Sequence, residues 1–271
     1  MLGRDLAATA PADVDLVARP RAALDLTRAA ALAAALDAAR PDVVLNAAAY
    51  TQVDRAEAEP AAAFATNAGA VGTLGALCAA RGVRVVHVST DYVFDGTRRR
   101  PYREGDATNP LGVYGASKRA GERRLAGSGP RALVVRTQWL FGAHGRSFVR
   151  TMWERARRGE SARVVADQYG APTHTGELAA AIWALVARDV AGVVHVTNAG
   201  EATWFDVAAR VYAAAGRPGG VTPCASAEYP TPARRPAYAV LDTGRARAAG
   251  IVMRPWQAAV DAWVTLQPRL A

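Results

Sequence analysis

Two rhythms of apolar residues alternate along the first half of the chain. Short, nearly continuous apolar runs at Asp15–Ala18, Asp42–Asn46, Val83–Ser89 and Ala132–Arg136 predict strands buried on both faces. The third run is interrupted at Arg84 and His87. Longer segments with helical periodicity separate the runs: Leu24–Arg40, ending before Pro41; Ala61–Arg81, stopped by Gly82; and Ser117–Ala126. Strand following helix in this order argues an α/β fold with a doubly wound parallel sheet. After about Phe141 the pattern loosens. Helices are predicted at Phe148–Arg158, Gly176–Arg188, Trp204–Ala215 and Met253–Leu270, and strands at Ala162–Ala166 and Val193–Val196. Gly170–Pro172 reads as a turn, and the proline-rich Tyr229–Pro236 cannot be regular.

The start of the chain bears on what such a sheet can hold. A Rossmann-like sheet opens with a strand and a glycine-rich turn, whose backbone amides meet a pyrophosphate at a helix N-terminus. Here Met1–Leu2 leads straight to Gly3. Gly3 reads either as the last glycine of that turn or as a plain flexible terminus. On the first reading the opening strand lies upstream of Met1 and belongs beside Asp15–Ala18 and Asp42–Asn46. A chain without it is expected to bind cofactor weakly and to be poorly stable. The expected division is a dinucleotide-binding domain over 1–145, lacking its first strand, and a smaller α/β substrate-binding region over 146–271, interdigitated with the first.

Composition narrows the function classes. The chain of 271 residues carries a net charge of +9. Its arginines are scattered, with Arg98–Arg100 the only run of three, so an anionic small molecule is expected rather than nucleic acid. No stretch approaches ~18 uninterrupted apolar residues, so no membrane span is expected. Two cysteines, Cys78 and Cys224, do not make a disulfide framework, and a reducing cytoplasm fits. His144 and His174 lack ligand spacing with each other or with a cysteine, so no metal site is expected. His87 reads as a satisfied core histidine, and His195 receives no role. Trp204 and Phe205 read as packing at a helix entry that Thr203 can cap.

Lys118 is the only lysine among 33 basic residues. Elsewhere the chain uses arginine, which replaces lysine on a solvated face but not where a compact ammonium is needed. Lys118 ends Tyr114-Gly-Ala-Ser-Lys118, and residues four apart share a helix face. An ammonium so placed can lower the pKa of the phenol and let Tyr114 donate a proton near neutral pH. Thr90 follows the strand Val83–Ser89, at the carboxyl edge where open α/β sheets place their sites. Its hydroxyl can hold a carbonyl beside that proton, with Ser89 as the competing donor. Arg19 and Arg21 follow the Asp15–Ala18 run, where arginine accommodates a 2′-phosphate, favouring NADPH over NADH. The alternative is that they reflect only an arginine-rich chain. Arg234 and Arg235 can clamp a diphosphate or lie solvated.

The motifs Ser89-Thr-Asp-Tyr-Val-Phe-Asp-Gly96 and Tyr114-Gly-Ala-Ser-Lys118 resemble the extended short-chain dehydrogenases. Pro41–Thr51, Arg136-Thr-Gln-Trp139, Asp167-Gln168 with Pro172-Thr173, and Glu228–Pro236 resemble the dTDP-4-dehydrorhamnose reductases, and the likeness runs from Gly3 nearly to the end. The resemblance implies hydride transfer from a nicotinamide to the 4-keto carbon of dTDP-4-dehydro-6-deoxy-L-mannose, giving dTDP-L-rhamnose. It implies Tyr114 as acid, Lys118 holding the ribose and tuning Tyr114, and Thr90 polarising the ketone. It places Asp91 and Trp139 against the sugar, Ala47, Ala48, Ala49 and Tyr50 along the cofactor, and Asp25 and Leu26 against adenine. Related dehydratases carry an acid/base carboxylate pair after the threonine. Asp91 and Tyr92 leave that pair incomplete here, which favours reduction. Still open are another dTDP-4-keto-6-deoxysugar as substrate, a regulatory subunit resembling that of methionine adenosyltransferase, an inactive truncated product, NADH use and a homodimer. Magnesium is not indicated by the sequence.

Overall fold

The computed structural model describes residues 1–129 and 131–267. Helix α1 (Leu2–Ala8) opens the chain, and α2 (Ala29–Ala39) leads into β1 (Val43–Asn46). Helices α3 (Val53–Ala58), α4 (Pro60–Phe64) and α5 (Ala70–Ala79) precede β2 (Arg84–Thr90). Helix α6 (Val113–Ser128) connects to β3 (Ala132–Thr137). Short strands β4 (Leu140–Phe141), β5 (Ala162–Val165), β6 (Tyr169–Gly170) and β7 (Thr173–His174) follow, with α7 (Phe148–Arg157) between the first two. Helix α8 (Thr175–Ala187) then leads to β8 (Gly192–His195) and β9 (Ala202–Thr203). The last elements are α9 (Trp204–Ala214), β10 (Val221–Cys224), α10 (Gly244–Ala248) and α11 (Trp256–Thr265).

The main sheet is parallel, in the order β1-β2-β3-β8. Its central strands β2 and β3 are buried along nearly their whole length, as strands covered on both faces must be. Arg84 is tolerated inside β2 because its guanidinium donates to the carbonyls of Val186 and Val190 at the end of α8. One face of the sheet packs Val86, Leu133 and Val135 against α8 and against Leu2 and Leu6 of α1. The other packs Val85 and Val134 against Leu32, Leu74 and Leu125. A separate core gathers α7, α9 and α11 around Trp153, Tyr212 and Trp263, beside the parallel pair β5–β10.

Several expectations fail in instructive ways. Asp15–Ala18 forms no strand and is exposed, Val17 by 52%. A run of apolar residues becomes a strand only by pairing, and these residues have no ladder partner among the described residues. β1 is the edge strand of the sheet. The helix expected from Leu24 begins only at Ala29, after turns that include the Asp25–Thr27 hydrogen bonds. The segment Pro60–Ala79 has the length and mean hydropathy of a membrane-crossing helix, although Thr66, Asn67 and Thr73 interrupt its apolar run. Here it lies against α6 and is interrupted by a π-helical turn, Ala65–Gly69. Its Asn67 is fully buried. The predicted helix to Leu270 ends at Thr265, and its last residues lie outside the described ones. Thr203 caps α9 as expected, in a reciprocal box with Asp206.

Candidate active site

The carboxyl ends of β2 and β3 meet side by side, with Thr90 in register with Thr137. Beyond Thr90 the chain enters a 3-10 turn, Asp91–Val93, because the Thr90 hydroxyl caps it. Oγ1 accepts from the Tyr92 amide at 3.2 Å and donates to Asp91 Oδ1 at 2.9 Å. Thr90 and Asp91 are 5% and 2% exposed. Loss of solvent pushes the Asp91 carboxyl up to about 7, against the hydrogen bonds from Thr90 and the local backbone.

Helix α6 is pressed hard onto this turn. Its first amide, Val113 N–H, donates to Glu57 Oε1 at 2.8 Å, so a carboxylate from α3 satisfies a helix end that has no side-chain cap of its own. A Cβ on Gly115 would lie 2.1 Å from the Tyr92 carbonyl oxygen, and one on Gly121 would lie 2.0 Å from that of Asn67. Only glycine permits both approaches. Farther along, Glu122 accepts two hydrogen bonds from Arg136 of β3, at 2.9 and 2.7 Å, and both side chains are buried. These four contacts therefore set the height and rotation of α6, and with them Tyr114 and Lys118.

Tyr114 packs edge-on against Tyr92, with ring centroids 5.5 Å apart. Burial pushes its phenol up to about 12, partly opposed by the Thr90 hydroxyl, while the Asp91 charge adds to the rise. Lys118 is 1% exposed. Its Nζ donates to the Val88 carbonyl at 2.7 Å and lies 3.1 Å from His87 Nε2. Burial brings it down to about 8, with Glu122 opposing. The sequence expectation of an ammonium lowering the phenol is therefore not met in this state. The Val88 carbonyl draws the amine toward the sheet, and desolvation dominates both groups. His87 is buried and bonded at both ring nitrogens, as a satisfied core histidine should be, but one of its partners is the lysine.

The loop Ala47–Tyr50 leaves β1 at the same edge. Asn67 holds it, accepting from Tyr50 N at 2.9 Å and donating to Tyr50 O and to Ser117 Oγ, each at 3.0 Å. Across the cleft stands Trp139, at a positive φ of 49° and stacked on Trp204 with centroids 3.6 Å apart. Gly170 makes room for the Trp139 ring. Asp91, Tyr92, Trp139, Trp204 and Arg235 line this narrow cleft. Of the two arginines expected at the diphosphate, Arg235 reaches the cleft while paired to Asp54 at 2.8 and 3.0 Å, whereas Arg234 is exposed. A larger cavity of about 590 Å³ lies at the opposite end of the strands, near Asp42, Val83 and Arg131. It holds none of the Thr90, Tyr114 and Lys118 constellation, so its size does not make it the centre of the chemistry.

Thr90, Asp91, Tyr114, Lys118 and Trp139 thus gather at one sheet edge, with Ala47–Tyr50 beside them. Gly3 is exposed in the first turn of α1, where a Cβ would meet nothing. Arg19 and Arg21 are exposed in irregular chain, Arg21 4.0 Å from Asp25. Among the described hydrogen bonds and ion pairs, none joins Gly3, Arg19, Arg21, Asp25 or Leu26 to the Thr90–Lys118 group. Sequence reasoning missed Asn46, Glu57, Asn67 and Glu122, which announce themselves only through partners distant in sequence. It gave Trp204 to packing alone. Three buried polar atoms at this edge, Ser89 Oγ, Asp91 Oδ2 and Thr137 Oγ1, make no hydrogen bond with the described residues. They suit a polar ligand entering between strand ends and α6.

The comparisons with known proteins agree with this geometry. The profile of the family described as RmlD substrate binding domain matches residues 1–267. A Streptomyces antibioticus protein named probable dTDP-4,6-dihydroxy-2-methyloxan-3-one 4-ketoreductase is 47% identical, over 96% of this chain and 90% of its own. A dTDP-4-dehydrorhamnose reductase of Sinorhizobium fredii is 39% identical, over 93% and 89% respectively. The crystal structure of the dTDP-4-dehydrorhamnose reductase of Bacillus anthracis in complex with NADP superposes with a TM-score of 0.94 at 32% identity, covering 98% of this chain and 95% of that one. With the match running through both cores and the shared cleft, the chain belongs to the RmlD substrate binding domain family.

Proposed function

We propose that this chain is an NADPH-dependent reductase that converts the 4-keto group of dTDP-4-dehydro-6-deoxy-L-mannose to the alcohol of dTDP-L-rhamnose. The observation that carries the reading is the meeting of a buried threonine hydroxyl with a protonated phenol at the carboxyl edge of the sheet. NADPH, when bound, supplies the hydride to the carbonyl carbon. The residues suit it through the unpaired polar atoms at the strand ends and the Asn67-held backbone of Ala47–Tyr50. Lys118 is assigned to the ribose, and the exposed Arg19 and Arg21 to the 2′-phosphate, which Arg21 meets by leaving Asp25.

The chain's own residues handle the oxygen. Thr90 holds the ketone by a hydrogen bond, exchanging Asp91 for the substrate as its acceptor. Tyr114, protonated throughout the physiological range, gives its proton to that oxygen as the carbon gains hydride, so ketone, hydride and proton together become the alcohol. Trp139 and Asp91 contact the sugar, and Arg235 rather than Arg234 is positioned for the diphosphate. The division at 145/146 belongs to the same proposal. It is supported by the separate core around Trp153 and Trp263, while β8, which completes the main sheet from the second half, accounts for the interdigitation.

A second reading shares the chemistry and changes the sugar. The 47% identical Streptomyces protein is named for another dTDP-ketosugar, which favours a reductase of a related 4-keto-6-deoxysugar. Oxidation of NADPH, followed by absorbance with each dTDP-ketosugar in turn, separates the two by kcat/KM. No oxidation with either sugar would refute both.

A further inference from the structure

Lys118 reaches into the sheet rather than along its own helix, and the hydrogen-bond directions around it carry information. The Ala48 backbone N–H can only donate, and its acceptor at 3.1 Å is Asn46 Oδ1. The Asn46 amide nitrogen, a donor, therefore faces His87 Nδ1 at 3.0 Å, and Nδ1 accepts. A neutral imidazole accepting at Nδ1 carries its proton on Nε2. That proton points at Lys118 Nζ, 3.1 Å away. An ammonium there would meet a donor with a donor. A free amine has a lone pair for His87 and an N–H for the Val88 carbonyl at 2.7 Å, and satisfies every partner. Protonating His87 does not help, because Nδ1–H would then face the Asn46 amide nitrogen.

We propose that Asn46 and His87 are positioning residues that set the protonation state of Lys118, and with it the upper end of the pH range in which the reductase works. The link to activity rests on the reading of Lys118 as the group that supports Tyr114. Every neighbouring element contributes to the balance. His87 and the Val88 carbonyl face the amine from β2, and Asn46 acts from β1 through the ring. Tyr114 and Glu122 share its helix, and Asp91 lies in the adjoining turn. Glu122 is the carboxylate that favours the charged lysine, but Arg136 of β3 holds both of its oxygens. The imidazole is itself kept neutral by burial and by the lysine. As pH rises through the lysine value, the cation that this reading of Lys118 requires for Tyr114 is lost and turnover falls.

A chain with one lysine makes this directly measurable. In protein labelled with 13Cε-lysine, one side-chain resonance reports the titration, with or without cofactor. The wild type is expected to titrate near 8, against about 10.5 for an ordinary lysine. Asn46→Asp keeps an acceptor for Ala48 and places a second one against His87 Nδ1. The ring proton then moves to Nδ1, and the Nε2 lone pair accepts from the ammonium. The lysine midpoint should rise by about one pH unit or more, and the alkaline limb of kcat/KM should rise with it. Asn46→Leu removes the donor without adding charge and should give a smaller rise. A wild-type midpoint at the ordinary lysine value, or an Asn46→Asp midpoint unchanged from wild type, overturns the relay. A lysine that moves while the alkaline limb stays overturns the link to activity and the role given to Lys118.

Discussion

Asp91 stands beside Thr90 with its carboxyl raised to about 7 by burial. The folded value lies above the ordinary aspartate value of 3.8, so between these two pH values the folded state retains a proton that the unfolded state has released. The stability tied to that proton is complete at low pH and is lost as pH rises through the folded value. Asp91→Asn cannot release it. Urea unfolding at a series of pH values should therefore show the variant gaining on the wild type by a few kcal/mol from about pH 4 to about pH 8. A difference independent of pH would show that Asp91 titrates as an ordinary surface acid. Lys118→Arg tests shape at the same scale. The pocket of Val88 and His87 is built for one nitrogen, and a planar guanidinium does not fit it. Turnover should fall about tenfold or more, and unchanged turnover would show that any cation suffices.

Helix α6 shows how an element is seated by what it lacks. Gly115→Ala would drive a Cβ into the Tyr92 carbonyl, a backbone atom that cannot swing aside, whereas a Cβ on Gly127 of the same helix meets nothing. Gly115→Ala should cost about 1–3 kcal/mol and lower kcat by tilting Tyr114, while Gly127→Ala should gain about 0.5–1 kcal/mol. Paired denaturation curves and turnover numbers check both, and equal effects would remove the close approach as an explanation. This helix also marks how far the sequence can be read. The spacing of Tyr114 and Lys118 was visible because the helical period is local, and Thr90 because strand ends are. The seating was not, since Glu57, Asn67 and Arg136 meet α6 only after the chain has folded back. The strand predicted at Asp15–Ala18 does not form, for the complementary reason. Its apolar pattern is genuine, but pairing is a property of two segments.

Across the whole molecule, a narrow cleft lies between the carboxyl edge of the main sheet, at Asp91 and Tyr92, and the Trp139–Trp204 stack on the core around Trp153 and Trp263. Asp54 from α3 and Arg235 from the proline-rich loop close one side of it, bonded across most of the chain. The exposed segment with Arg19 and Arg21 lies apart from this cleft chemistry, and its role in cofactor choice belongs to the proposed function. Replacing both by alanine should weaken NADPH binding about tenfold and leave NADH binding unchanged, as read by calorimetric titration. Equal losses for the two cofactors would remove that assignment. The account as a whole depends on the Tyr114 phenol supplying the proton that completes reduction at the sheet edge. Single-turnover mixing of the Tyr114→Phe enzyme, preloaded with NADPH, against the dTDP-4-ketosugar measures that step alone. Loss of the protonated hydroxyl should slow NADPH oxidation by about 10²–10⁴-fold at unchanged cofactor affinity, whereas oxidation at the wild-type rate would contradict it.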